Sequence, residues 1–143
     1  MAKRDIIPED ILYYGRCYEE GRQLWWFDLE AHRVISTEEL EALYGWNGAE
    51  PIPEDSAFLP LFQTNMLQLQ KAFMKDFPEH TVEKIMAARK VSYAVAFNIF
   101  VETPPEIFRR WKDFEREHLL QDAVAWCKAN RLPYRRKDAS ARG

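Results

Sequence analysis

The residues in this chain whose types could do chemistry are few and scattered. Asp28 and Glu30 stand two apart in the run Trp25-Trp26-Phe27-Asp28-Leu29-Glu30. In a strand, alternate residues share a face, so both carboxylates would project together, a spacing that suits acid–base work or a cation. The same spacing describes the polar outer face of a hairpin. His118 lies one helical turn from both Glu115 and Asp122, which reads either as a carboxylate-oriented imidazole or as a solvated helix face. His32, His80, Cys17 and Cys127 make no HxxxH, HExxH or CxxC spacing, so no metal and no cofactor are expected. Both cysteines read as free thiols, and Cys127, beside Trp126 in a helical pattern, as a small core hydrophobe. No stretch has the spacing of a catalytic or nucleotide motif. No catalytic residues are assigned, and an enzyme built on Asp28, Glu30 or His118 is the least favoured reading.

Binding groups are more abundant. The chain holds five Trp, six Tyr and nine Phe in 143 residues. Neighbours on a strand point to opposite faces, so if Trp25 or Trp26 packs inward the other lies at or near the surface, where an aromatic is a common interface anchor. Trp46, between Gly45 and Asn47-Gly48, is a second anchor candidate. With Asp28 and Glu30 these make a candidate partner-binding set: Trp25, Trp26, Trp46, Asp28 and Glu30.

Charge supplies a rival set. From Arg131 to Gly143 five basic residues face one acid, Asp138, a local +4 that leaves −7 for the rest of a chain whose net charge is −3. An acidic body with a basic tail is unlike a dedicated DNA-binding domain, yet the tail could contact phosphates. Arg131, Arg135, Arg136 and Lys137, joined by Arg109 and Arg110 of the preceding segment, are the candidate nucleic-acid-binding residues. Arg109, Arg110, Lys112 and Arg116 interleave with Glu106, Asp113, Glu115 and Glu117, which reads most simply as a solvated helix face.

These groups must be held by elements of mostly helical character. Pro8-Glu9-Asp10 opens a short helix carrying Ile11, Leu12, Tyr14 and Tyr18, with an extended alternative for part of it. Leu24–Leu29 and Arg33–Ile35 form a small antiparallel hairpin around a four-residue turn, Glu30 to Arg33. Ser36-Thr37-Glu38-Glu39 matches a capping box, with Leu40, Leu43 and Tyr44 following and Gly45 as the left-handed stop. Residues 46–53 are a loop. Asp55-Ser56 is placed as the cap of a long helix whose first turn holds Pro60, or in which Pro60 divides a short turn from the main helix, with Phe62, Met66, Leu69, Phe73 and Phe77 as its stripe and Pro78 as its end. Thr81 caps a short helix, and Ser92 another that carries Tyr93, Phe97 and Val101. Pro105 opens a final helix to about Asn130, roughly 39 Å long, whose apolar pattern is Phe108, Trp111, Phe114, Leu119, Ala123, Trp126. The expected fold is mostly α (α+β): about six helices and one hairpin in a single domain over residues 1–130, then a basic, flexible tail over 131–143.

The segments so placed resemble an uncharacterised family of small bacterial proteins, number zero-one-five-eight. The resemblance is carried by Phe27-Asp28-Leu29-Glu30 followed by Val34-Ile35, by Ile52-Pro53, by Asp76-Phe77, by Ala96-Phe97, and by Trp111-x-x-Phe114 before Ala125-Trp126. Its order fits from Gln23 to Tyr134. The acidic middle segment of many members is absent, and Lys90-Val91-Ser92 stands where they have a Gly-rich step. It implies a fold and no activity.

No run reaches the ~20 apolar residues of a membrane span, and Met-Ala-Lys-Arg-Asp is not followed by the apolar stretch of a signal peptide. The expectation is a small cytoplasmic protein-interaction or regulatory protein that binds an unidentified protein partner and no membrane. The alternative is a nucleic-acid- or ribosome-associated accessory protein acting through its tail.

Overall fold

A computed structural model describes residues 4–17, 23–45 and 57–137. The protein is mostly helical, with two small sheets among these residues. Two 3-10 turns, Pro8–Asp10 and Tyr13–Gly15, lead into β1 (Arg16–Cys17), then β2 (Trp25–Asp28) and β3 (Arg33–Ser36). Helix α1 (Thr37–Tyr44) follows, then β4 (Phe58–Pro60), β5 (Thr64–Asn65), α2 (Met66–Phe73), α3 (Thr81–Arg89), α4 (Tyr93–Glu102) and α5 (Pro105–Ala129).

Local signals place several of these ends. The amide of Glu39 donates to Ser36 Oγ at 3.1 Å, and Gly45 closes α1 at φ 70°, the left-handed stop that glycine takes without strain. Ser92 caps α4, and Pro105 takes the first position of α5, where its missing N–H costs nothing.

Other expectations are corrected. The described helices number five, not six. The first segment makes 3-10 turns and a strand in place of a helix. The hairpin turn is Leu29–His32, with Asp28 opposite Arg33. Phe58–Pro60 is not the start of a long helix: it joins β2 as a third strand, in the order β3-β2-β4. Pro60 lies on the outermost strand, where a residue lacking an N–H is tolerated. Helix α2 begins at Met66 instead, capped by Asn65, whose Oδ1 accepts from the Gln68 amide at 3.1 Å. Thr81 does not cap α3: its hydroxyl donates to the Pro78 carbonyl at 2.6 Å, and His80 precedes the helix at φ 65°. Asp55-Ser56 lies outside the described residues.

The three-stranded sheet is buried on both faces. Phe27 packs against Ile6, Ile11, Phe62 and the C-terminal half of α5, with Leu119, Ala123, Trp126 and Cys127. On the opposite face Trp26 and Ile35 pack under Leu40 of α1 and against Phe58. A separate aromatic core gathers α2, α3, α4 and the N-terminal half of α5 around Phe73, Phe97 and Trp111. Helix α5 is therefore the spine shared by two cores. Phe108, placed on its apolar pattern, is 38% exposed.

The basic segment does not stand apart from the domain as far as Lys137. Ile6 N–H donates to the Pro133 carbonyl and Arg135 N–H to that of Ile6, each at 2.9 Å, bridging Ile6 to Tyr134. Arg136 pairs with Glu9 at 3.0 Å and Lys137 with Asp10 at 2.6 Å. Residues 138–143 lie outside the described residues.

Candidate functional site

The hairpin withdraws two of the five candidate partner-binding residues, Trp26 and Asp28. Trp26 is 7% exposed, and its Nε1–H donates to Thr37 Oγ1 at 2.9 Å. Asp28 is 5% exposed; its Oδ1 accepts the amides of Glu30 and Ala31 at 3.0 Å each. A carboxylate held inward by two turn amides stabilises the hairpin and cannot share a face with Glu30, which sits exposed in the turn. The paired-carboxylate arrangement is thus absent. Trp46 lies outside the described residues.

Trp25 remains at the surface. Its half-buried indole meets Tyr14 edge-on at 4.8 Å, and Tyr14 meets Tyr13 edge-on at 5.4 Å. Tyr13 is 70% exposed, with the Arg16 guanidinium 5.8 Å from its ring centre. The turn Tyr13–Gly15 places this aromatic ladder, because it bends the chain back over the face of β2. Gly15 is needed there: a methyl group at its Cα would overlap the Phe62 ring. Two depressions flank the ladder. Tyr14 borders one of about 370 Å³, with Ile6, Ile7, Phe27 and Val34 as its apolar lining and Asp5, Asp10, His32 and Arg33 as its polar lining. Trp25 borders the other, about 440 Å³, beside Ser36, Thr37, Glu38 and Glu41. Sequence reading placed Tyr14 on a helix face and gave Tyr13 and Arg16 no role; the contact between residues 14 and 25 arises only on folding.

The residues that could have made a catalytic group are engaged elsewhere. Glu115 is 5% exposed, not part of a solvated face, and accepts from Arg16 Nη2 at 2.7 Å with Lys112 Nζ at 3.7 Å. Asp122 accepts from the Thr64 hydroxyl. His118 has its Nδ1 2.9 Å from the Phe114 carbonyl and its ring 4.2 Å from that of Phe114, so neither carboxylate orients it. The Arg16–Glu115 ion pair and the Thr64–Asp122 hydrogen bond instead dock the parallel pair β1–β5 onto α5. No group of three His, Cys, Asp or Glu among the described residues could hold a metal ion. No helix among them is long and apolar enough to cross a membrane.

No family model, curated protein or solved structure matches this chain. Its function must be read from its own surface.

The basic candidates are dispersed. Arg109 and Arg110 are exposed on α5, where Arg110 stacks over Phe77 at 5.1 Å. Arg131 and Arg135 are exposed just beyond α5, whereas Arg136 and Lys137 are matched by Glu9 and Asp10. On the helical side, a depression of about 420 Å³ has Lys71 and Lys75 facing Glu79 and Glu83; burial, then Glu83, raises the Tyr93 hydroxyl above its usual 10.0.

Cys127 is fully buried, and burial pushes its thiol up from 9.0 to about 11. Such a thiol is a poor nucleophile. The folded chain keeps this proton where the unfolded chain releases it. Its contribution to stability is therefore complete below about pH 9 and lost as pH rises toward about 11, by up to roughly 2 kcal/mol. The check is the difference in urea midpoint between about pH 8 and about pH 10.5, measured for the natural chain and for Cys127→Ala; the natural chain should lose more.

Proposed function

We propose that this chain is a protein-interaction module whose contact surface centres on the ladder Tyr13–Tyr14–Trp25. The observation that carries the reading is the ladder itself. Tyr, Trp and Arg are the residues most often found to dominate binding, and here exposed Tyr13 and half-buried Trp25 are joined through Tyr14, with Arg16, which Glu115 holds, beside the Tyr13 ring. Tyr13 is 70% exposed, and Tyr14 and Trp25 pack against the core while keeping part of their rings at the surface, so the cluster offers a partner a rigid aromatic contact already held in place. The acids Glu38 and Glu41 beside Trp25 favour a partner that brings positive charge. The family that the sequence resembles implies no activity and so neither adds to nor detracts from this reading.

The test is affinity capture from lysate of the source cell, with and without nuclease, comparing the natural chain with Trp25→Ala and Tyr13→Ala. A discrete protein that survives nuclease, binds directly once purified, and loses about 2 kcal/mol of affinity on Trp25→Ala, roughly 30-fold, supports the reading. Both variants must keep the helical signal of the parent. Retention that vanishes with nuclease, or an affinity unmoved by both substitutions, rejects it and turns attention to Arg109, Arg110, Arg131 and Arg135.

A further inference from the structure

Resting on that reading, we infer that the partner binds as an extended strand added to the free edge of β3, placing an apolar side chain in the depression beside Val34 and a basic side chain, two residues away, in the depression beside Glu38 and Glu41.

The hydrogen-bond alternation of the sheet exposes that edge. Thr37 N–H donates to the Leu24 carbonyl at 3.0 Å, and pairing continues through Trp26–Ile35 to Asp28–Arg33. In an antiparallel ladder, every second residue turns its backbone groups toward the neighbouring strand. Thr37, Ile35 and Arg33 therefore face β2, whereas the N–H and C=O of Val34 and the N–H of Ser36 face outward. β3 is the outer member of the order β3-β2-β4, and no described residue bonds to its outer side.

Addition of a strand to an edge draws affinity from the backbone and specificity from pockets for alternate side chains. Both parts are present. Val34 borders the first depression and Ser36 the second. These residues are two apart on one strand face, as are side chains spaced by roughly 6.8 Å along an added strand. The first depression has apolar walls in Ile6, Ile7, Ile11, Phe27 and Val34, and its acids Asp5 and Asp10 are offset by Arg33 and by Lys137, which pairs with Asp10. The second is lined by the carboxylates of Glu38 and Glu41 and by no cationic residue. That difference sets the order of preference: apolar beside Val34, Lys or Arg beside Ser36. The short length of β3 is how free-standing proteins keep such an edge from self-association, and it limits the pairing to a brief segment of the partner.

The probe is a synthetic ten-residue peptide of Thr with Leu at one position and Lys two positions later; its control carries Glu in place of Lys. Binding to the full chain is followed by amide NMR shifts and by hydrogen exchange. The expected result is binding of the Lys peptide with slowed exchange at Val34 and Ser36, and affinity at least about tenfold weaker for the Glu control. Val34→Pro removes the outward N–H without touching the ladder to β2 and should abolish binding. Glu41→Lys, at an exposed site, should reverse the preference between the two peptides while leaving the fold alone. No binding of the Lys peptide to the natural chain, shifts elsewhere than β3, or equal affinity for both peptides overturns the inference. So does concentration-dependent pairing of two copies through Val34 in place of peptide binding. A captured protein whose affinity falls with Trp25→Ala but not with Val34→Pro or Glu41→Lys overturns strand addition while leaving the interaction reading standing; failure of both Trp25→Ala and Tyr13→Ala to matter removes the reading itself.

Discussion

Phe97→Ala is expected to lower the stability of this protein by about 3–5 kcal/mol. Phe97 is fully buried at the centre of the helical core. Its ring meets Trp111 edge-on at 4.7 Å and Phe73 edge-on at 6.1 Å, geometries that add to simple burial. Phe73 in turn touches Phe77, Trp111 and Phe114. Removing the ring takes contacts from three helices at once, and a cavity walled by rigid aromatics collapses poorly. The check is the urea midpoint at constant slope. Phe97→Leu, which keeps most of the volume, should recover more than half of the loss. An Ala variant within about 1 kcal/mol of the parent would mean that this core is not packed as described.

The second large effect belongs to Glu115→Ala, expected to cost about 3 kcal/mol, at the lower end of the range for breaking a buried pair. Glu115 takes the Arg16 guanidinium at 2.7 Å, and Arg16 Nε is already buried without a hydrogen-bond partner among the described residues. Truncating the acid leaves a largely desolvated cation between β1 and α5. About a quarter of the Arg16 side chain stays in water, which keeps the cost from rising higher. The pair Arg16→Met with Glu115→Leu should regain most of what the single change loses, because two apolar groups leave no charge behind. If Glu115→Ala is no worse than the double variant, the ion pair is not holding β1 in place.

Legibility in the sequence followed the range of the interactions. The capping of α1 by Ser36 and its stop at Gly45, the cap at Ser92 and the proline start of α5 all depend on residues within four positions of one another, and each was readable. The strands β1 and β5 are two residues long, too short to show alternation, and pair across almost fifty positions; nothing local marks them. Pro60 illustrates the limit: a proline is equally at home in a first helical turn and on an outer strand, and only the partner β2 decides. The alternation of Trp25 and Trp26 was legible, but which one faces inward is set by α1, whose Leu40 and Thr37 receive Trp26. Asp28 was read as outward because polar residues usually are; the turn amides of Glu30 and Ala31 required it. Glu115 misled for the same reason, its partner Arg16 lying 99 positions away.

The bridge between Ile6 and Tyr134 has a bearing on how the chain is made. Synthesis proceeds from the N-terminus, so Ile6 leaves the ribosome long before Pro133 and Arg135 exist to bond with it. The helical core around Phe97 and Trp111 draws on α2 to the first half of α5 and needs no residue beyond them to assemble. The sheet does: its Phe27 face needs Trp126, and the segment ahead of it needs residues beyond 130. The nascent protein therefore carries its most aromatic strand uncovered until Trp126 and residues 133–135, about a hundred positions further along the chain, have been made.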